Sequence, residues 1–148
     1  MKRFRFPLKS LATVRDLSEL RARESFAQAI TVLTRAEAHL ADVRRRLEEL
    51  REIVVAGRLE SFRPRDHVAF LEAYHSEHRN EIEARHAVVA AMNVLEQRRQ
   101  DWLEARRAQK LIQNLEARAR THHHAEAGRE NQRELDEVAG RSRALVYL

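Results

Sequence analysis

The chain has 148 residues, of which 34% are charged and only 5% aromatic, so it is poor in the large side chains from which a globular core is built. Three Gly and two Pro cannot furnish the turns of a β-sandwich, a barrel or an α/β enzyme, and those classes are excluded in favour of long helices or a coiled coil. With no Cys there is no disulfide framework and no thiolate site, and a net charge of +5, with basic residues that are almost all arginine, favours an acidic partner surface.

In chain order, the opening Met1-Lys2-Arg3-Phe4-Arg5-Phe6-Pro7 is basic but lacks the apolar stretch of a signal peptide. Ser10 is the expected N-cap of a first helix over about 10–56, with Pro7 just outside it. Within that helix Phe26, Leu33, Leu40, Leu47 and Val54 recur every seven residues, and Ala29, Ala36, Val43 and Leu50 follow three residues after the first four. Nine successive apolar seam positions form a heptad pattern, flanked by charges such as Arg44, Glu48 and Arg51. Leu11, Val14, Leu17 and Leu20 do not keep this frame, which predicts a register shift between Leu20 and Phe26. Gly57 is the expected stop.

A short link, about 57–66, leads to a second helix over about 66–127, with Asp66 as its expected cap after Pro64. Its expected inward face is Leu71, Tyr74, His78, Glu81, Arg85, Val88, Met92, Leu95, Arg99 and Trp102, with Ile82, Val89 and Leu103 beside it. A weak spot with a bend is expected at Thr121–Gly128, followed by an overhang over 128–148 that carries Leu135 and Val138. Two heptad helices about a short link predict an all-α fold, a single long antiparallel two-helix coiled-coil hairpin. Pairing about the link places Leu40 near Ile82, Leu33 near Val89 and Leu20 near Trp102, and leaves residues beyond about 112 without a partner from the first helix.

Chemistry is sparse. There is no phosphate loop, nucleophile elbow or HExxH, and the carboxylates alternate with arginine at helical spacing, as solvated ion pairs do. No catalytic, cofactor-binding or metal-ligating residue is assigned, and no cofactor is expected. His122, His123 and His124 point about 100° apart on a helix and do not converge on one ion. His75, His78 and His86 lack further ligands to complete a set. The runs Arg44–Arg46, Arg98–Arg99 and Arg106–Arg107 are interrupted by Glu48, Glu49, Glu96, Asp101 and Glu104, against a nucleic-acid surface. No apolar run is long enough to insert directly into a membrane.

Three features taken together resemble one family: the Phe4-Arg5-Phe6-Pro7-Leu8 entry followed by Leu11 and Arg15; two Ala/Glu/Arg-rich heptad helices with Phe70 and Tyr74 early in the second and Trp102 late; and the segment Leu135-Asp136-Glu137-Val138-Ala139. The chain is similar to the flagellar type III export protein FliJ family, with the injectisome stalk proteins as a related possibility. The resemblance implies a protein at the cytoplasmic face of the membrane export apparatus, monomeric alone. Its terminal tip would insert into a hexameric export ATPase, another part would bind the cytoplasmic domain of the export gate, and it would handle export chaperones. Carried onto this chain, the tip is Phe4, Phe6, Leu8 and Leu11 packed with Leu135 and Val138, with Asp136 and Glu137 alongside, and the gate contact is Phe70 and Tyr74. Leu71 is expected on the seam and Phe70 toward solvent, with the bland alternative that both rings cover the link near Phe62. Two other readings are a structural coiled coil that self-associates through its seam, and a nucleic-acid-binding hairpin similar to a tRNA synthetase arm.

Overall fold

The computed structural model describes residues 3–59 and 63–146. It is all-α: two long helices, α1 (Lys9–Leu59, 51 residues) and α2 (Pro64–Val146, 83 residues), with no strand among the described residues. Both helices exceed their expected bounds. At the start of α1 the Leu8 carbonyl accepts from the Ala12 amide at 2.9 Å, so Ser10 lies inside the first turn and is not the cap. α1 runs past Gly57 to Leu59, because helix packing carries it beyond a residue that only permits a stop. Pro64 is the first residue of α2, where its missing amide costs nothing, and the Arg63 carbonyl accepts from Asp66 and His67 at 3.0 and 3.2 Å. Asp66, the expected cap, therefore sits inside the first turn, three residues after Arg63. No bend interrupts 121–128: α2 is one helix through Gly128, and the Thr121 hydroxyl donates back to the Ala117 carbonyl at 3.0 Å.

The chain divides into two compact units, residues 21–103 and residues 1–20 with 104–148. In the first, α1 and α2 pack antiparallel: Arg44 meets Glu81 at 3.2 Å, Arg46 meets Glu77 at 3.3 Å, and the Phe26 and Trp102 rings stack at 5.6 Å. The expected α1 seam is the observed one. Ala29, Val43 and Leu47 are buried, and the other six seam residues are half-buried.

The α2 face is half as expected. Tyr74, Glu81, Val88, Leu95 and Trp102 turn inward, but the alternate positions are Phe70, Glu77, Ala84 and Ala91, each one residue before the expected Leu71, His78, Arg85 and Met92. Met92, Ile82 and Val89 stay 54%, 44% and 58% exposed. Small alanines let the helix axes approach while Val43 and Leu47 fill the space between them, so fit outweighs side-chain size. Trp102 stacks on Phe26.

Glu81 is the one charged residue buried in this seam among the described residues. Its carboxylate accepts from Arg85 at 2.7 Å and Arg44 at 3.2 Å, with His78 at 3.7 Å from its other oxygen. Hydrogen bonds from Arg85 first and Arg44 second hold it below the usual carboxylate range. Because the folded value is depressed, the stabilisation is present above the unfolded value of about 4.3 and is lost as pH falls through the folded one. Melting followed from pH 7 to pH 2 should show Glu81→Gln losing less stability than the native chain below about pH 4.3; parallel curves would remove Glu81 from the acid response.

In the second unit, the short segment Arg3–Phe6 and the turn at Pro7 lead into α1, which packs antiparallel on α2. Gln109 donates to Asp16 at 2.8 Å, and Ile112 is buried. Ala12 and Glu19 face inward and keep the seven-residue frame of Phe26, so the expected register shift does not occur. Leu11, Val14, Leu17 and Leu20 remain 37–60% exposed on the flanks. α2 is also not partnerless beyond 112. Glu116, Ala119, His123 and Ala127 are half-buried, and exposure becomes continuous from 128 to 141.

Candidate partner-binding site

The expected tip residues do not come together as one patch. Phe4 and Phe6 alternate inward from the entry segment and are half-buried, while Arg3 and Arg5, which alternate with them, are exposed. Phe4 meets His123 edge-on, ring centroids 5.4 Å apart, and the Arg120 guanidinium lies 5.7 Å above its ring. Arg120 is itself held by Glu116 at 3.0 Å. Leu8 and Leu11 are 39% and 37% exposed.

Leu135 and Val138 do not pack with these phenyl rings. They are 64% and 61% exposed, and at ~1.5 Å per residue Leu135 lies roughly 18 Å further along α2 than His123. Antiparallel register decides this: once Asp16 lies against Gln109, the residues ahead of α1 reach the 116–127 stretch and no further. Asp136 and Glu137 share the exposed stretch, with Asp136 accepting from Gln132 at 2.9 Å and Glu137 at 4.0 Å from Arg141. The clamp on Phe4 was invisible as such in the sequence. Its one signal was that adjacent histidines on a helix must face different surroundings, and His122 does turn away to Glu126 at 3.5 Å.

In the other unit, Phe70, Tyr74 and His78 form an i,i+4 aromatic ladder with centroid spacings of 6.1 and 6.2 Å. Phe70 does not project freely into solvent. It is half-buried, and Leu71 is the more exposed neighbour at 40%. Phe70, Leu71 and Tyr74 line a cleft of about 390 Å³ with Arg51, Val54 and Val55 of α1. Tyr74 first, then Glu48 at 3.2 Å, accepts hydrogen bonds from Arg51 and holds its guanidinium above the ordinary arginine value. The cleft therefore offers an apolar floor beside a fixed cation. Phe62, expected near these rings, lies outside the described residues.

No described helix is long and apolar enough to cross a membrane. Comparison with curated proteins gives no match, and neither does comparison with solved structures. The family model described as "Flagellar FliJ protein" matches residues 4–144, from Phe4 of the clamped entry segment to near the end of α2. An all-α two-helix chain with apolar heptad seams, matched over nearly its whole length, belongs to the FliJ family of flagellar export coiled-coil proteins.

Proposed function

We propose that the chain is a non-catalytic stalk of the flagellar export apparatus that enters the ring of the hexameric export ATPase and couples it to the export gate. The observation that carries this reading is the family match over residues 4–144. The clamped entry segment supports it: Phe4 is held against His123 and Arg120 of α2 and Phe6 is half-buried, which keeps the end of this helix pair from fraying. The tip comprises Phe4, Phe6, Leu8 and Leu11 and, further along α2, the separately exposed Leu135, Asp136, Glu137 and Val138. In this reading the protein works at the cytoplasmic face of the membrane and also handles export chaperones. It is monomeric when isolated, which sedimentation equilibrium at moderate salt would read.

Deleting residues 128–148 tests the tip. That stretch lies beyond the half-buried positions of α2, so the remaining helices should keep their circular dichroism signal. Stimulation of the cognate export ATPase should be lost. Full stimulation by the truncated chain would refute the tip assignment.

The gate contact is assigned to the cleft at Phe70 and Tyr74. Phe70→Ala should weaken binding of the gate's cytoplasmic domain by ~2 kcal/mol or more, the scale of an aromatic anchor. Stability should fall by about 1–2 kcal/mol, because the ring is half-buried rather than free, and ATPase stimulation should persist. Unchanged gate affinity in calorimetry would remove this cleft from the interface.

A further inference from the structure

The entry segment does more than anchor the end of α1. Arg3, Arg5 and Lys9, with Arg120 of α2, surround a cleft of about 520 Å³ whose floor includes Phe4 and Phe6. The one carboxylate in its lining is Glu116, which is already paired with Arg120 at 3.0 Å. Among the described residues Arg3, Arg5 and Lys9 have no carboxylate within ion-pair distance. Three cations therefore converge on one concavity without neutralisation, held in place by an aromatic anchor rather than by each other.

The other side of the entry segment faces carboxylates of the chain itself. Arg3 and Arg5 also line an adjoining cleft with Glu126 and Glu130, two carboxylates one helical turn apart. Neither glutamate pairs with these arginines, and Glu126 lies 3.5 Å from His122 instead. Glu126 and Glu130 line that cleft without reaching Arg3 or Arg5, so the arginines stay open to an external carboxylate while the two glutamates oppose its approach by charge. Arginine forks suit carboxylates and hold them in two-point contact. A concave site with phenyl flooring suits a short peptide better than the extended backbone of a nucleic acid or a flat lipid surface.

We propose that this cationic cleft is a docking site for an acidic peptide segment of a partner protein, whose binding the nearby charges of Glu126 and Glu130 oppose. The inference does not depend on which export component presents the segment, nor on the stalk reading.

Hexaglutamate is the probe, titrated into the full chain at low salt while the amide resonances of residues 3–9 are followed by NMR. Saturable shifts confined to the entry segment and 116–130 of α2 are expected. Combined Arg5→Glu and Lys9→Glu should weaken binding about tenfold or more, as for opposed charge at a contact. Arg35→Glu with Arg79→Glu, the same charge change elsewhere, should leave it within about twofold. Glu126→Gln with Glu130→Gln should tighten binding more than Glu72→Gln with Glu83→Gln, which matches it in charge. Circular dichroism checks that each variant keeps its helices. The proposal is overturned if the shifts do not saturate, if the paired controls behave like the cleft variants, or if a single-stranded RNA or phosphatidylglycerol vesicles bind the same residues more tightly than hexaglutamate.

Discussion

Val43→Asp should unfold the 21–103 unit. Val43 is 0% exposed, the most completely buried side chain among the described residues. An aspartate there is too short to carry its carboxylate out of the seam, and the charge would be left without a partner. Uncompensated burial of this kind costs ~3–5 kcal/mol, a large share of the ~5–15 kcal/mol that stabilises a typical domain. Val43→Ala, which removes only methyl groups, should cost about 1.5–3 kcal/mol. Ile53→Asp, at a position 54% exposed, should stay within about 0.5 kcal/mol. Urea denaturation followed by helical ellipticity reads all three. The half-buried Leu33 and Leu40 should rank between the extremes when changed to aspartate. A Val43→Asp chain that melts with the native one would show that the seam does not hold this unit together.

The second large effect is expected at the Phe26–Trp102 stack. The two rings lie 5.6 Å apart and nearly parallel, 9° between planes, one from each helix. Trp102→Ala should destabilise by about 2–3 kcal/mol, below the full cost for a buried tryptophan because the ring is half-buried. Phe26→Ala should cost about 2 kcal/mol. Their double-mutant coupling should be ~0.5–1.5 kcal/mol, the worth of an aromatic pair beyond its buried area. Trp102 is the only tryptophan in the chain, so its emission should also shift to the red in Phe26→Ala. Zero coupling would place the two rings in different surroundings and break the antiparallel register derived above.

Periodicity is a local property of a chain, and where one face must be buried it is legible. Breaker placement and the run from Phe26 to Val54 sufficed for an all-α chain of two long helices and for every seam position of α1 between them. The FliJ resemblance was legible for a different reason, through the Phe4–Leu8 entry and the Leu135–Ala139 segment, and the family match spans both. At the candidate sites, residue types were readable but company was not. Phe4, Phe6, Phe70 and Tyr74 stand out in any reading, whereas Arg120, His123 and Arg51 acquire their roles only by lying against them.

What tertiary structure alone decided is which of two adjacent residues turns inward and what lies opposite it. On α2 the choice between Leu71 and Phe70, or Met92 and Ala91, is nearly even in helical phase. It was settled by the α1 surface, which takes the small Ala91 at one position and the larger Phe70 at the other. The same holds for the entry segment. Its alternating Phe and Arg state that one side will be buried, but only the register of α1 on α2 sets it down at Arg120 and His123 rather than at Leu135. A chain with an amphipathic stripe specifies that it must pack; the shape of the facing stripe, remote in sequence, specifies where.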